Sequence, residues 1–265
     1  MKRRAALALP ALALPALVLA RPAAAVEWRG AASQGALLLG QGAAGQRLML
    51  DGQPVRVSPG GLFVLGFGRD HGPSATLSVN GVARHIPVAR REWDVQNITG
   101  LPPAQVTPDA AALERIRTER ERLAAVRGLD STRVDFAQGF AWPARGRISG
   151  VFGSQRVLNG QPRQPHYGLD VAGPVGTPIL AAASGVVTLA AEFHFFGKLM
   201  VLDHGHGVNT LYAHLSAMDL REGDEVRQGQ RMGAMGATGR VTGPHLHFSL
   251  GWYRLWLDPQ PLLPA

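Results

Sequence analysis

The density of turn signals constrains this chain most. Its 33 glycines and 19 prolines recur between short apolar runs, leaving few uninterrupted stretches long enough for a helix. From Val26 to about Gly100 the runs are Ala36 to Leu39, Leu48 to Leu50, Leu62 to Phe67, Ala75 to Val79 and Val82 to Val88. Runs this short, closed by Gly, Asp-Gly or Asn-Gly, read as strands, with Asn80-Gly81 a tight hairpin turn. Residues 26–104 are therefore expected to form a small all-β, sandwich-like domain. Its histidines, His71 and His85, stand isolated and are assigned no chemistry.

One segment breaks the pattern. Thr107-Pro108-Asp109 supplies a capping hydroxyl, a proline suited to the first helical position and an acid near the positive end of the dipole. A helix is expected from there to about Arg127, ending at Gly128, with Leu113, Ile116, Leu123 and Val126 as a narrow apolar stripe. Residues 105–135 read as a solvated helical linker. Beyond them, residues 136–265 return to β punctuation, with runs at Ile179 to Ala183, Gly185 to Leu189, Leu199 to Leu202 and Val208 to Ala213.

The first 25 residues have the layout of a removable secretory signal: Lys2, Arg3 and Arg4, an apolar stretch from Ala5 to Ala20, then Ala23-Ala24-Ala25. The apolar stretch carries Pro10 and Pro15 and falls short of the roughly 20 residues that span a bilayer as a helix. Export to the periplasm with no retained membrane anchor is the expectation. The formal charge of +8 changes meaning accordingly, since four of the 27 basic residues belong to the leader and 23 remain against 19 acidic ones. That excess is small and scattered, so nucleic acid is not an expected partner. The absence of cysteine removes disulfides, thiolate metal sites, cysteine nucleophiles and an N-terminal lipid anchor.

Chemistry concentrates in the last segment, which holds seven of the nine histidines. Three motifs stand out: His166-Tyr167-Gly168-Leu169-Asp170, Tyr212-Ala213-His214-Leu215 and Gly243-Pro244-His245-Leu246-His247-Phe248. On a strand, His245 and His247 project from one face while Leu246 and Phe248 enter the other. With His166 and Asp170 they make a nitrogen and oxygen donor set suited to zinc, whose catalytic sites use three protein ligands and leave a position for water. Spacing alone leaves open which of His245 and His247 binds metal. His204 and His206 flank glycines at a hairpin turn, are expected to be exposed and are left outside the site. His194, with Phe195 and Phe196, lines a groove or caps a loop in this reading. Gly233, Gly236 and Gly239 have neither the spacing nor the following Lys-Ser/Thr of a phosphate-binding loop, so tight turns explain them.

The three motifs, in this order, resemble the lysostaphin-type (LytM-like) zinc metallopeptidases that cut peptide bonds in peptidoglycan. The resemblance covers about Trp142 to Pro259 and includes Gly150-Val151-Phe152-Gly153, Gly176 to Pro178, Ala183 to Val187 and Val226 to Gly233. It implies an antiparallel β barrel-sandwich hybrid, with zinc bound by His166, Asp170 and His247. His214 and His245 are then the catalytic histidines that orient or deprotonate water and stabilise the oxyanion. The implied substrates are stem peptides or cross-bridges of peptidoglycan, with a D-alanine to diaminopimelate bond the expected target. A protein partner is not indicated. Two other readings use the same motifs: a non-enzymatic activator of a cell-wall amidase, and a zinc peptidase for free glycine-rich peptides. The polar stretch between Phe152 and His166 reads as a loop walling the groove, its Arg156 and Arg163 placed to meet substrate carboxylates or simply to be solvated.

Overall fold

The computed structural model describes residues 25–99 and 109–265. The leader expected at the start lies outside these residues except for Ala25, as do Thr107 and Pro108. Among the described residues no helix is long and apolar enough to cross a membrane. The described residues are mostly β with one α-helix, and their sheets stay open rather than closing into a barrel.

Two antiparallel sheets occupy the first half. One runs in the order Glu27–Arg29, Leu37–Gln41, Phe63–Gly66; the other runs Gln53–Val55, Leu48–Leu50, Ser74–Val79, Val82–Pro87. In Ser74–Val79 the buried positions are Ala75, Leu77 and Val79, the period-two burial that fixes strand register. Asn80 and Gly81 both adopt positive φ, 51° and 89°, the backbone of the expected two-residue turn. Phe63, Leu65 and Leu77 belong to a core that continues into the second half through Trp252 and Leu257. Gly66 makes that contact possible, because a Cβ there would approach the Trp252 ring to 2.6 Å.

The second half is built on a ten-stranded antiparallel sheet. Its main path is Glu225–Val226, Gly185–Phe193, Gly197–Gly205, Val208–Met218, His245–Trp252, Leu169–Ala172 and Arg147–Gly150. Arg231–Met235 pairs with both Val208–Met218 and Pro178–Leu180, and Leu255–Leu257 pairs with His245–Trp252. The helix, Ala110–Arg127, is capped by Asp109, whose carboxylate accepts from Ala112 N at 2.8 Å. The cap is thus Asp109 rather than the expected Thr107, a substitution within the same class of short polar caps. Ile116 and Leu123 are buried, but Leu113 remains 52% exposed, so the stripe is narrower than the sequence suggests. Leu123 packs with Leu189, Phe193, Leu199, Val201, Leu211 and Ala213 against the sheet. Arg127 is buried beside them, its guanidinium over the Trp256 ring at 3.2 Å and donating to Leu255 O at 2.9 Å. Burial lowers its pKa to about 9, which still leaves a cation at neutral pH.

Two local expectations are corrected. The stretch after Phe152 is not a loop: Gln155–Leu158 and Gln161–Pro162 form a hairpin that pairs in parallel with Val95–Ile98. Asn159 and Gly160, both at positive φ, supply its turn with the same dipeptide as the Asn80-Gly81 turn. His204 and His206 are buried rather than exposed, at 0% and 1%. The glycine-flanked turn folds back onto residues Ser131 to Phe136, with His206 N donating to Ser131 O and its ring 5.1 Å from Phe136. His204 bridges Ser184 O at 2.6 Å and Thr210 Oγ1 at 2.7 Å, a structural role inside the core.

Candidate active site

Strand register builds the site. Asp170 lies directly opposite His247, and Ala172 opposite His245. Gly150 flanks Asp170 on the next strand, where a Cβ would come within 2.4 Å of Asp170 Oδ2. Gly168 does the same for His247, since its Cβ would approach the ring to 2.5 Å. These two glycines leave the room that a carboxylate and an imidazole need at the centre of the sheet.

His166 Nε2, Asp170 Oδ1 and His247 Nδ1 converge. The distances are 3.0 Å from His166 to Asp170, 3.0 Å from His166 to His247 and 2.9 Å from His247 to Asp170. All three residues are buried, at 6%, 6% and 7%. The outer nitrogens have partners of their own. His166 Nδ1 lies 3.0 Å from the Val151 carbonyl, an obligate acceptor, so it carries the proton and Nε2 presents a lone pair. His247 Nε2 faces Ser249 Oγ at 2.8 Å, a hydroxyl able to accept the ring proton when Nδ1 presents its lone pair to a cation. Two nitrogen lone pairs and a carboxylate oxygen then point at one another, an arrangement that needs a cation between them. The triangle is small enough for one ion to touch all three donors at bond lengths of about 2.0–2.2 Å. Burial acts to raise the Asp170 pKa, but the adjoining His166 and His247 rings outweigh it and hold the carboxyl below the usual range. The donor set therefore fits zinc, and backbone and serine partners orient it from outside.

His214 and His245 flank this triangle. Their rings are 4.7 Å apart, and His214 is 6.0 Å from His247. His214 reaches the site through a bulge. Ala213 pairs with His247, so in a regular strand the next side chain would leave by the opposite face. A register shift between Lys198 and Met200 and a φ of 63° at His214 re-aim it, and its N–H donates to Phe196 O at 2.9 Å. His214 Nδ1 is tied to Thr238 O at 2.9 Å and His245 Nδ1 to Gly243 O at 2.9 Å. Each ring therefore keeps Nε2 as the acceptor, and His245 Nε2 lies 3.8 Å from Asp170 Oδ1. Burial, with smaller contributions from His247 and His245, lowers the pKa of His214 to about 3, so it is neutral at physiological pH.

The structure thus brings together all five residues singled out by the sequence motifs. Two contributors were not singled out, Ser249 and Thr238, while Phe196, expected to line a groove or cap a loop, has its ring 5.9 Å from His247. Ser249 had a signal, being two residues beyond His247 on the same strand face. Thr238 acts through its carbonyl and leaves no such trace. His194 donates its backbone N–H to Glu119 of the helix at 2.8 Å, which ties the Phe195-Phe196 turn to that helix.

This donor set, with two further histidines beside it, is an arrangement suited to metal-assisted hydrolysis. Residues 164–259 match Peptidase family M23. Peptidoglycan DD-endopeptidase ShyA of Vibrio cholerae is 40% identical over 114 residues, covering 43% of this chain and 26% of the relative. DD-carboxypeptidase/endopeptidase Mpg of Neisseria meningitidis is 42% identical over 119 residues, 45% of this chain and 26% of the relative. The chain thus spans about a quarter of the length of these curated relatives. The crystal structure of a peptidase M23 from Pseudomonas aeruginosa, described as putative, superposes with a TM-score of 0.67 at 28% identity. That match covers 87% of this chain and 94% of that one.

Proposed function

We propose that this chain is an exported zinc metalloendopeptidase that hydrolyses peptide cross-links of bacterial peptidoglycan in the periplasm. The observation that carries the reading is the convergence of His166 Nε2, Asp170 Oδ1 and His247 Nδ1 with the free Nε2 atoms of His214 and His245 beside them. His166, Asp170 and His247 hold the zinc. Zinc in such a site supplies Lewis acidity, lowering the pKa of a water to about 7 and polarising a carbonyl oxygen. His245, whose Nδ1 is held by Gly243 O so that Nε2 faces the triangle as an acceptor, takes the water proton. His245 then returns that proton to the leaving amine. His214, neutral and held by Thr238, orients the water through Nε2. The relatives' names support peptidoglycan as the substrate, and the leader-like first 25 residues support export.

A chemically defined cross-linked peptide dimer tests the reading. The protein should convert dimer to monomers, stop when treated with a chelator and recover with added zinc, while His245→Ala loses at least 100-fold in kcat. Equal product from wild type and His245→Ala would overturn the mechanism. An intact dimer with zinc-loaded wild type would overturn the function.

A further inference from the structure

Beside the histidines stands a second group of like side chains. Arg156, on the Gln155–Leu158 strand, places Nη2 3.6 Å from Asp170 Oδ2. Arg163 follows on the same hairpin, where Gln155 Nε2 donates to its carbonyl. Arg240 comes from the turn that carries Thr238: its backbone N donates to Phe195 O at 3.0 Å and its guanidinium lies over the Phe195 ring at 4.2 Å. Phe195 adjoins Phe196, the ring beside His247, so Arg240 is anchored to the same turn that borders the site. Desolvation lowers the Arg240 pKa, and the charges of Arg156 and Arg163 lower it further, so the three guanidiniums share one region. Arg240 has its aromatic contact and no ion pair among the described residues. Three positive charges beside Asp170 make this region electropositive, since the Glu119 carboxylate at the neighbouring turn is already paired with Arg115, and a divalent metal would make it more so. Such a region concentrates anions and rejects cations, and a guanidinium is shaped to bind a carboxylate in a bidentate manner.

We propose that Arg240, with Arg156 and Arg163, forms a carboxylate-binding subsite at the edge of the active site, selecting peptides with a free carboxylate flanking the scissile amide. The inference rests on the peptidase reading above and adds a substrate class to it. Arg240 is the distinguishing member, because Arg156 also touches the proposed metal ligand Asp170.

The experiment uses two cross-linked peptides identical except that the flanking carboxylate is free in one and amidated in the other. Their Kd values are measured on the full chain carrying His245→Ala, so that neither peptide is consumed. Their kcat/KM values are measured on the chain with His245 intact. Binding should favour the acid about tenfold, the size of one charge-assisted hydrogen bond. Arg240→Gln should bring the Kd ratio to within twofold of unity, Arg240→Lys should keep part of it, and the discrimination should appear in KM rather than kcat. Arg84→Gln, which removes the same charge from the remote Val82–Pro87 strand, should leave the ratio unchanged. A ratio near one in the unmutated subsite, or one unmoved by Arg240→Gln, overturns the subsite. Failure to cleave either peptide with an intact Kd ratio overturns the peptidase reading instead, so the two failures are distinct.

Discussion

Replacing Ser249 by alanine probes how the site is held from outside. Ser249 is 1% exposed, and its Oγ lies 2.8 Å from His247 Nε2. It accepts the ring proton that leaves Nδ1 as the metal-facing atom. Ser249→Ala removes that acceptor and strands a buried N–H, which costs about 1–3 kcal/mol in the folded protein. The larger effect falls on the metal, because losing an outer partner of a ligating histidine costs about 10–100-fold in affinity. At about 1.4 kcal/mol per tenfold, that is roughly 1.4–2.8 kcal/mol of zinc binding. Competition between the protein and a chromophoric chelator measures the affinity, and calorimetry of the zinc-free protein measures stability separately. The reasoning fails if Ser249→Ala binds zinc within twofold of wild type while its melting temperature drops, since the contact would then be packing alone.

Asp170→Asn should abolish stoichiometric zinc binding and hydrolysis together, as read by metal analysis and dimer cleavage, because it removes the charge that balances two facing lone pairs. Tyr212→Phe should cost about 1–3 kcal/mol in urea unfolding with unchanged kcat, since the Tyr212 hydroxyl accepts from the buried Ala182 N–H at 2.9 Å. Leu123→Ala should cost about 2–5 kcal/mol, and dimer cleavage should fall with it, because this helix also holds the His194 backbone through Glu119. Burial depresses the folded-state pKa values of His204, His214 and His247, that of His214 to about 3. Below about pH 6.5 the unfolded chain therefore binds more protons than the folded one. The urea midpoint of zinc-free protein should be flat above neutrality and fall from pH 7 to pH 5; a flat profile throughout would contradict the buried neutral histidines.

The sequence showed most where the determinants are local. Short strands, the Asn80-Gly81 turn and the Gly128 end of the helix are set by neighbouring residues, and they lie within a few positions of expectation. Several strands run longer than their apolar runs. Gly185–Phe193 continues through Glu192 because ladder hydrogen bonds to the next strand, not side-chain polarity, decide its length. Motif order pointed to the five clustered residues, yet their geometry depends on pairings that no short window contains. The bulge that turns His214 inward requires Gly197–Gly205 as its partner, and the hairpin after Phe152 requires Val95–Ile98 from more than fifty residues earlier. His204 and His206 were misjudged because a glycine-rich turn signals exposure only until another segment, here residues 131–136, covers it. Arg240 carried no motif at all, and its place beside Phe195 emerges only from the fold.

The central claim is tested most directly by locating the metal. Crystals of the zinc-loaded protein, with anomalous diffraction recorded on either side of the zinc absorption edge, should show one peak within bonding distance, about 2.0–2.2 Å, of His166 Nε2, Asp170 Oδ1 and His247 Nδ1. The Nε2 atoms of His214 and His245 should lie outside that distance. A peak bonded to His245 in place of His247, or no edge-dependent peak among these side chains, would contradict the account.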